Sequence, residues 1–129
     1  MTLIHTLFSD GNQKRICWSI KTDQNTVEQF RDHADIYLDK VNEIQSKYIA
    51  LHVGIFWSIG VFIIKNGDTI RIQIDSDEMI KHLSTDQTSN DRLIEGKKGF
   101  INQLATQRSL VYQYEKIDSA QNISTKLLQ

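Results

Sequence analysis

The chain has 129 residues, 40% of them apolar and 24% charged, with a formal net charge of −1. This balance fits one globular domain with one core over residues 1–129, and it excludes a globally basic nucleic-acid binder, so any such binding needs a local patch. The single cysteine, Cys17, excludes an intramolecular disulfide and a paired-cysteine metal site. With an N-terminus (MTLIHTLFSDG) that lacks the basic start and long apolar stretch of a signal peptide, it leads us to expect a cytoplasmic protein.

Thr2 to Phe8 is apolar and rich in strand formers, and Ser9-Asp10-Gly11-Asn12 follows it as turn material. Arg15 to Thr22 alternates apolar and polar positions with the period of a strand, so the two runs predict a hairpin. Thr26 to Leu38 is read as a third antiparallel strand, although its later half is equally able to begin a helix. Asn42 to Lys65 predicts a long helix, stopped by Asn66-Gly67-Asp68. Within it, Tyr48 to Ile64 is 17 residues without a formal charge, at the lower limit of the roughly 17–25 needed to span a bilayer. His52, Gly54, Ser58 and Gly60 interrupt it, and no positive cluster flanks it, so a core helix is expected and no membrane association.

Thr69 to Ile74 is a clean alternating strand, after which Asp75 opens a short helix through Leu83. Ser84 to Ser89 is a polar loop. Asn90 to Gln107 predicts an amphipathic helix with Leu93, Phe100, Ile101 and Leu104 on one face. Ser109 to Ile117 predicts a fifth strand, and Gln121 to Gln129 a short terminal helix. The order β-β-β-α-β-α-α-β-α implies a mixed sheet with helices packed on it.

Asp10 ends the first strand and Asp75 the fourth. If those strands are neighbours, both carboxylates emerge at one edge, an arrangement of oxygen ligands suited to Mg²⁺ and, with two such ions, to phosphodiester hydrolysis. Each residue also has an ordinary reading. Asp10-Gly11 is a common hairpin-turn pair, and Asp75 can cap a helix, with Glu78 completing a capping box. Weaker candidates are Lys97-Lys98 and Lys14-Arg15 for phosphate, and Trp18 or Trp57 for base stacking. Exposed lysines are usually solvated surface, and Trp57, Tyr112 and Tyr114 fit packing roles better.

The segment LFSDGN resembles the first-strand motif of the ribonuclease H family: an aromatic residue, Thr or Ser, Asp, Gly. KYIALHVGIFWSI is similar to that family's first helix, RIQIDSDEMIKHL to its fourth strand and following helix, and SAQNISTKLLQ to its terminal segment. The resemblance implies an α/β ribonuclease H-like fold, a five-stranded mixed sheet with flanking helices. It also implies a nuclease that cuts the RNA strand of an RNA–DNA hybrid, with four carboxylates holding two Mg²⁺ ions. Asp10 and Asp75 match the first and third of these carboxylates. Lys47 stands at the second position and Thr125 at the fourth. The histidine that many members carry after the fifth strand has no counterpart, since His5, His33, His52 and His82 all lie elsewhere.

A lysine ammonium cannot ligate Mg²⁺, but it can pair with Asp10 and Asp75 in the metal's stead. Glu43, one helical turn before Lys47, is the candidate substitute ligand, with Asp77 and Asp118 as further acids. The expectation is therefore a divergent member, weak or inactive as a nuclease, with Mg²⁺ weakly held if at all. Its partner would be RNA–DNA hybrid, RNA, a second protein or another copy of itself. An active metal-dependent ribonuclease with rearranged ligands and a structural or oligomerising module are the alternatives.

Overall fold

The computed structural model describes residues 2–129. Five strands, β1 (Ile4–Gly11), β2 (Arg15–Thr22), β3 (Asn25–Asp32), β4 (Thr69–Ile74) and β5 (Val111–Lys116), form one sheet in the order β3-β2-β1-β4-β5. β1, β2 and β3 pair antiparallel, while β4 runs parallel to both β1 and β5. The parallel pairs need crossovers, which the helices α1 (Glu43–Gly60), α2 (Asp77–Ser84) and α3 (Arg92–Arg108) supply.

The central strands are buried along most of their length. Leu7, Trp18, Ile20, Ile70 and Ile72 are fully or almost fully buried. They meet Leu51, Ile55 and Ile59 of α1 in a single core. Removing one such aliphatic side chain to Ala costs about 2–5 kcal/mol. α1 lies between the sheet and α3, which explains its near-continuous apolar sequence: it is covered on most sides by protein. No helix among the described residues is long and apolar enough to cross a membrane.

The helix starts are fixed by polar caps. Asn42 and Gln45 form a reciprocal capping box at α1, and Gln45 also donates from Nε2 to Asp91, the N-cap of α3. The two N-termini that flank the site are thereby tied side to side.

The structure corrects several boundaries. β1 runs on to Gly11, so Asp10-Gly11 is strand and not turn. The hairpin turns at Asn12, whose Oδ1 accepts the N–H groups of Lys14 and Arg15. β3 stops at Asp32; Ala34 to Val41 coils into turns, the Ala34 carbonyl accepting from Tyr37 and Leu38. α1 ends at Gly60, where Phe62 takes a left-handed φ of 65° and the Ser58 carbonyl collects the N–H groups of Ile63 and Ile64. Asn66-Gly67-Asp68 therefore turns the chain into β4 and does not cap the helix. Ser76, not Asp75, caps α2. Phe100 is half exposed and off the buried face of α3. The terminal helix is two short 3₁₀ turns, Ser119–Gln121 and Thr125–Leu128.

Candidate functional site

Parallel pairing of β1 with β4 aligns Phe8 with Gln73. Continuing that register by two residues brings Asp10 beside Asp75 at the carboxyl ends of the strands. Asp10 is buried and Asp75 half-buried. α1 approaches this edge because Gly11 has no side chain: a Cβ there would lie 2.3 Å from Ser46 Oγ and 2.8 Å from the Ser46 carbonyl oxygen. That close contact carries Lys47, the next residue of α1, to the two carboxylates.

Lys47 Nζ lies 3.6 Å from Asp75 Oδ1 and 3.9 Å from Asp10 Oδ1. The ammonium thus bridges the pair at ion-pair distance from both. The remaining carboxylate oxygens are engaged by the C-terminal segment. Thr125 Oγ1 donates to Asp10 Oδ2 at 2.6 Å, and Ser119 Oγ donates to Asp75 Oδ2 at 2.7 Å. The Gly11 N–H donates to Asp10 Oδ1 at 2.8 Å. Three further contacts seat that segment on the sheet. Asn122 Nδ2 donates to the Ser9 carbonyl, Cys17 Sγ donates to the Ser124 carbonyl at 3.1 Å, and Lys126 pairs with Glu28.

Magnesium asks for an octahedral shell of oxygens, usually carboxylates, waters and substrate phosphate. Here two carboxylates have hydroxyl, amide or ammonium donors on their oxygens, and no group of three acidic, histidine or cysteine side chains suited to a metal occurs among the described residues. These residues do not fit a two-metal centre. Glu43 sits exposed in the first turn of α1, beside Asn12, Gln13 and Asn42 in a shallow groove. Asp77 pairs with Lys116, and Asp118 caps the first 3₁₀ turn.

The weaker candidates disperse. Lys98 is buried, its Nζ held by the carbonyls of Thr85 and Gln87. Lys97 contacts His52, whose pKa is lowered to about 4, first by burial and then by the Lys97 charge. Lys14 and Arg15 pair with Asp39 and Asp32. Trp18 has no exposed surface for a base to stack on, and Tyr112 and Tyr114 pack against the core. Ser119 escaped the sequence reading. Its signal is topological: the Ile117 N–H bonds the Ile74 carbonyl, so whatever follows β5 arrives beside Asp75.

No protein-family model matches the chain, and neither does any curated protein at a significant level. Solved structures do. The ribonuclease H1 of the halophilic archaeon Halobacterium salinarum is 16% identical, with a TM-score of 0.75 over 99% of this chain and 94% of that one. The N-terminal ribonuclease H domain of a Mycobacterium tuberculosis protein is 13% identical, with a TM-score of 0.77 over 98% and 95%. A ribonuclease H1 isolated from compost by a metagenomic approach, solved with an RNA/DNA hybrid, is 14% identical, with a TM-score of 0.69 over 98% and 93%. Such low identity speaks to architecture alone, and the architecture agrees along nearly the whole chain: this protein has the ribonuclease H-like fold.

Proposed function

We propose that this chain is a divergent ribonuclease H-like domain that binds nucleic acid, RNA–DNA hybrid or RNA, and does not cut it by two-metal chemistry. The observation that carries the reading is Lys47, whose ammonium lies within 4.0 Å of both carboxylates. A unit positive charge about 4 Å from another costs about 4 kcal/mol at an effective dielectric near 20, and a divalent ion doubles that. With Asp10, Asp75 and Lys47 the site carries a formal charge of −1, against −4 for four ionised carboxylates. Binding is supported by the hybrid-bound structure of the same fold and by the groove that Glu43 shares with Asn12, two residues along the chain from Asp10. Its side chains Asn12, Gln13 and Asn42 suit sugar hydroxyls and base edges.

Fluorescence anisotropy with labelled RNA–DNA hybrid and single-stranded RNA, run in EDTA and in Mg²⁺, tests this with a cleavage gel alongside. The expected result is binding of comparable strength in both buffers and intact substrate. Cleavage in Mg²⁺ that Asp10→Asn abolishes would overturn the non-catalytic part. Absence of binding to either substrate at low salt would overturn the rest.

A further inference from the structure

Next to the carboxylate pair, between α1, α2 and the start of α3, lies a cavity of about 190 Å³. Its position is set by the site itself, because Tyr48 follows Lys47 and Ser76 follows Asp75 in sequence, and both line it. Ile44, Met79 and Ile94 supply apolar walls. The volume exceeds the roughly 150 Å³ of a cavity that takes up one benzene, enough for a small fused ring.

The polar groups in the cavity are oriented by a part-buried chain. Glu95 Oε1 accepts from His82 Nε2 at 2.5 Å, and Tyr48 Oη lies 2.7 Å from His82 Nδ1. In the neutral tautomer that carries its proton on Nε2, facing the carboxylate, Nδ1 accepts and the Tyr48 hydroxyl donates to it. In that tautomer Tyr48 offers the cavity an acceptor, the phenolic oxygen. Its pKa is pushed up to about 12 by burial and by the charges of Glu95 and Glu78. Glu78 stands on the cavity rim, exposed. It enters none of the ion pairs of the described residues. The loop wall is held rigid: Lys98 binds the carbonyls of Thr85 and Gln87, and the Ser89 N–H bonds Glu95.

The cavity thus sets the apolar side chains of Ile44, Met79 and Ile94 against one carboxylate that no cation pairs, Glu78, a combination that disfavours a phosphate and favours an apolar-faced ring with adjacent N–H donors. We infer that it receives an unpaired guanine-class nucleobase, Glu78 accepting from the ring N–H and exocyclic amine while Ile44, Met79 and Ile94 clasp the ring. Uracil, whose ring N–H lies between two carbonyls, would face repulsion from Glu78. This deepens the nucleic-acid reading and rests on it only for the source of the base, a strand or a free nucleoside.

The test uses guanosine, adenosine, cytidine and uridine, which carry no phosphate, titrated into the full chain and followed by heteronuclear NMR. RNA hexamers of G in a U background, and of U alone, are measured alongside by anisotropy. Guanosine should shift amides around Tyr48, Ser76 and Thr88 and bind at least about tenfold more tightly than uridine. Glu78→Gln should remove that preference. Thr88→Trp, at an exposed loop position, should block the cavity without touching the core. If the G-containing hexamer binds more tightly than U alone and Thr88→Trp erases the difference, the base comes from a strand. If only free guanosine binds, the cavity serves a nucleoside, and the nucleic-acid reading falls by itself. No guanosine shifts, or equal affinity for guanosine and uridine, overturns the inference even when hybrid binding persists.

Discussion

β1 has a carboxylate cluster near each end, and the two are built differently. Near its start, Asp68 is 2% exposed and His5 fully buried, with His5 Nε2 2.8 Å from Asp68 Oδ2. The N–H groups of Leu3 and Lys65 donate to the same carboxylate, and Thr22 Oγ1 lies 2.6 Å from His5 Nδ1. Near the end of the strand, Asp10 has one backbone donor, and side chains do the rest: Thr125, Lys47 and, on Asp75, Ser119. A carboxylate held largely by main-chain donors is fixed by the fold, since only a proline at the donor residue removes such a donor. One held by side chains can be rewired by single substitutions without disturbing the backbone. The first arrangement is structural; the second is where a fold can exchange one chemistry for another.

Replacing Asp68 with Ala should give the largest effect. It strands two part-buried N–H groups and a buried imidazole, for a loss of about 3 kcal/mol or more, measured by urea unfolding at neutral pH. Asp10→Ala, at the other end, should lose distinctly less, because Lys47 and Thr125 can turn toward water. Equal losses would erase the distinction. Gly11→Ala comes next, at about 1–3 kcal/mol, since its methyl collides with Ser46. It should also separate Lys47 from Asp10.

Lys47→Glu combined with Thr125→Asp should raise Mn²⁺ affinity at least about tenfold, or ~1.4 kcal/mol, by calorimetric titration. Unchanged affinity would mean that the charge count is not what sets metal binding. The pH dependence sharpens the contrast further. Burial raises the Asp68 pKa, but the hydrogen bonds from His5, Leu3 and Lys65 outweigh it and hold the carboxyl below its ordinary value. A depressed carboxyl contributes stability above the unfolded value, about 3.9. That stability disappears as pH falls through the folded value. Acid unfolding of the wild type should show this loss, and Asp68→Asn should lack it. Thr125→Val is the smallest expected change, about 1 kcal/mol or less.

The sequence is most transparent where local periodicity and local packing agree. Arg15 to Thr22 and Thr69 to Ile74 alternate because one face carries the apolar core, and both appear as strands within the predicted bounds. The Asp10–Asp75 juxtaposition followed from strand-end positions in the expected order. The boundaries that failed are those where the pattern outruns the element. Val61 to Ile64 continues the apolar run of α1, yet the chain has already turned. Ile36-Tyr37-Leu38 resembles strand continuation but lies in turns. The His5–Asp68 and Tyr48–His82–Glu95 networks were not legible at all. Their members are separated by up to 63 residues in sequence, and no periodic pattern encodes which buried polar groups will meet.

Cys17 offers a consequence for following the molecule in solution. Its thiol is fully buried, packed beneath the C-terminal segment, with a pKa pushed up to about 11 chiefly by burial. Alkylating reagents attack the thiolate, so the native chain should be almost inert toward them. The segment that covers Cys17 is the one that brings Ser119 and Thr125 to the carboxylates. The labelling rate of one sulfur atom therefore acts as a clock for the detachment of that segment, readable by mass spectrometry in an unmodified protein and independent of any catalytic turnover.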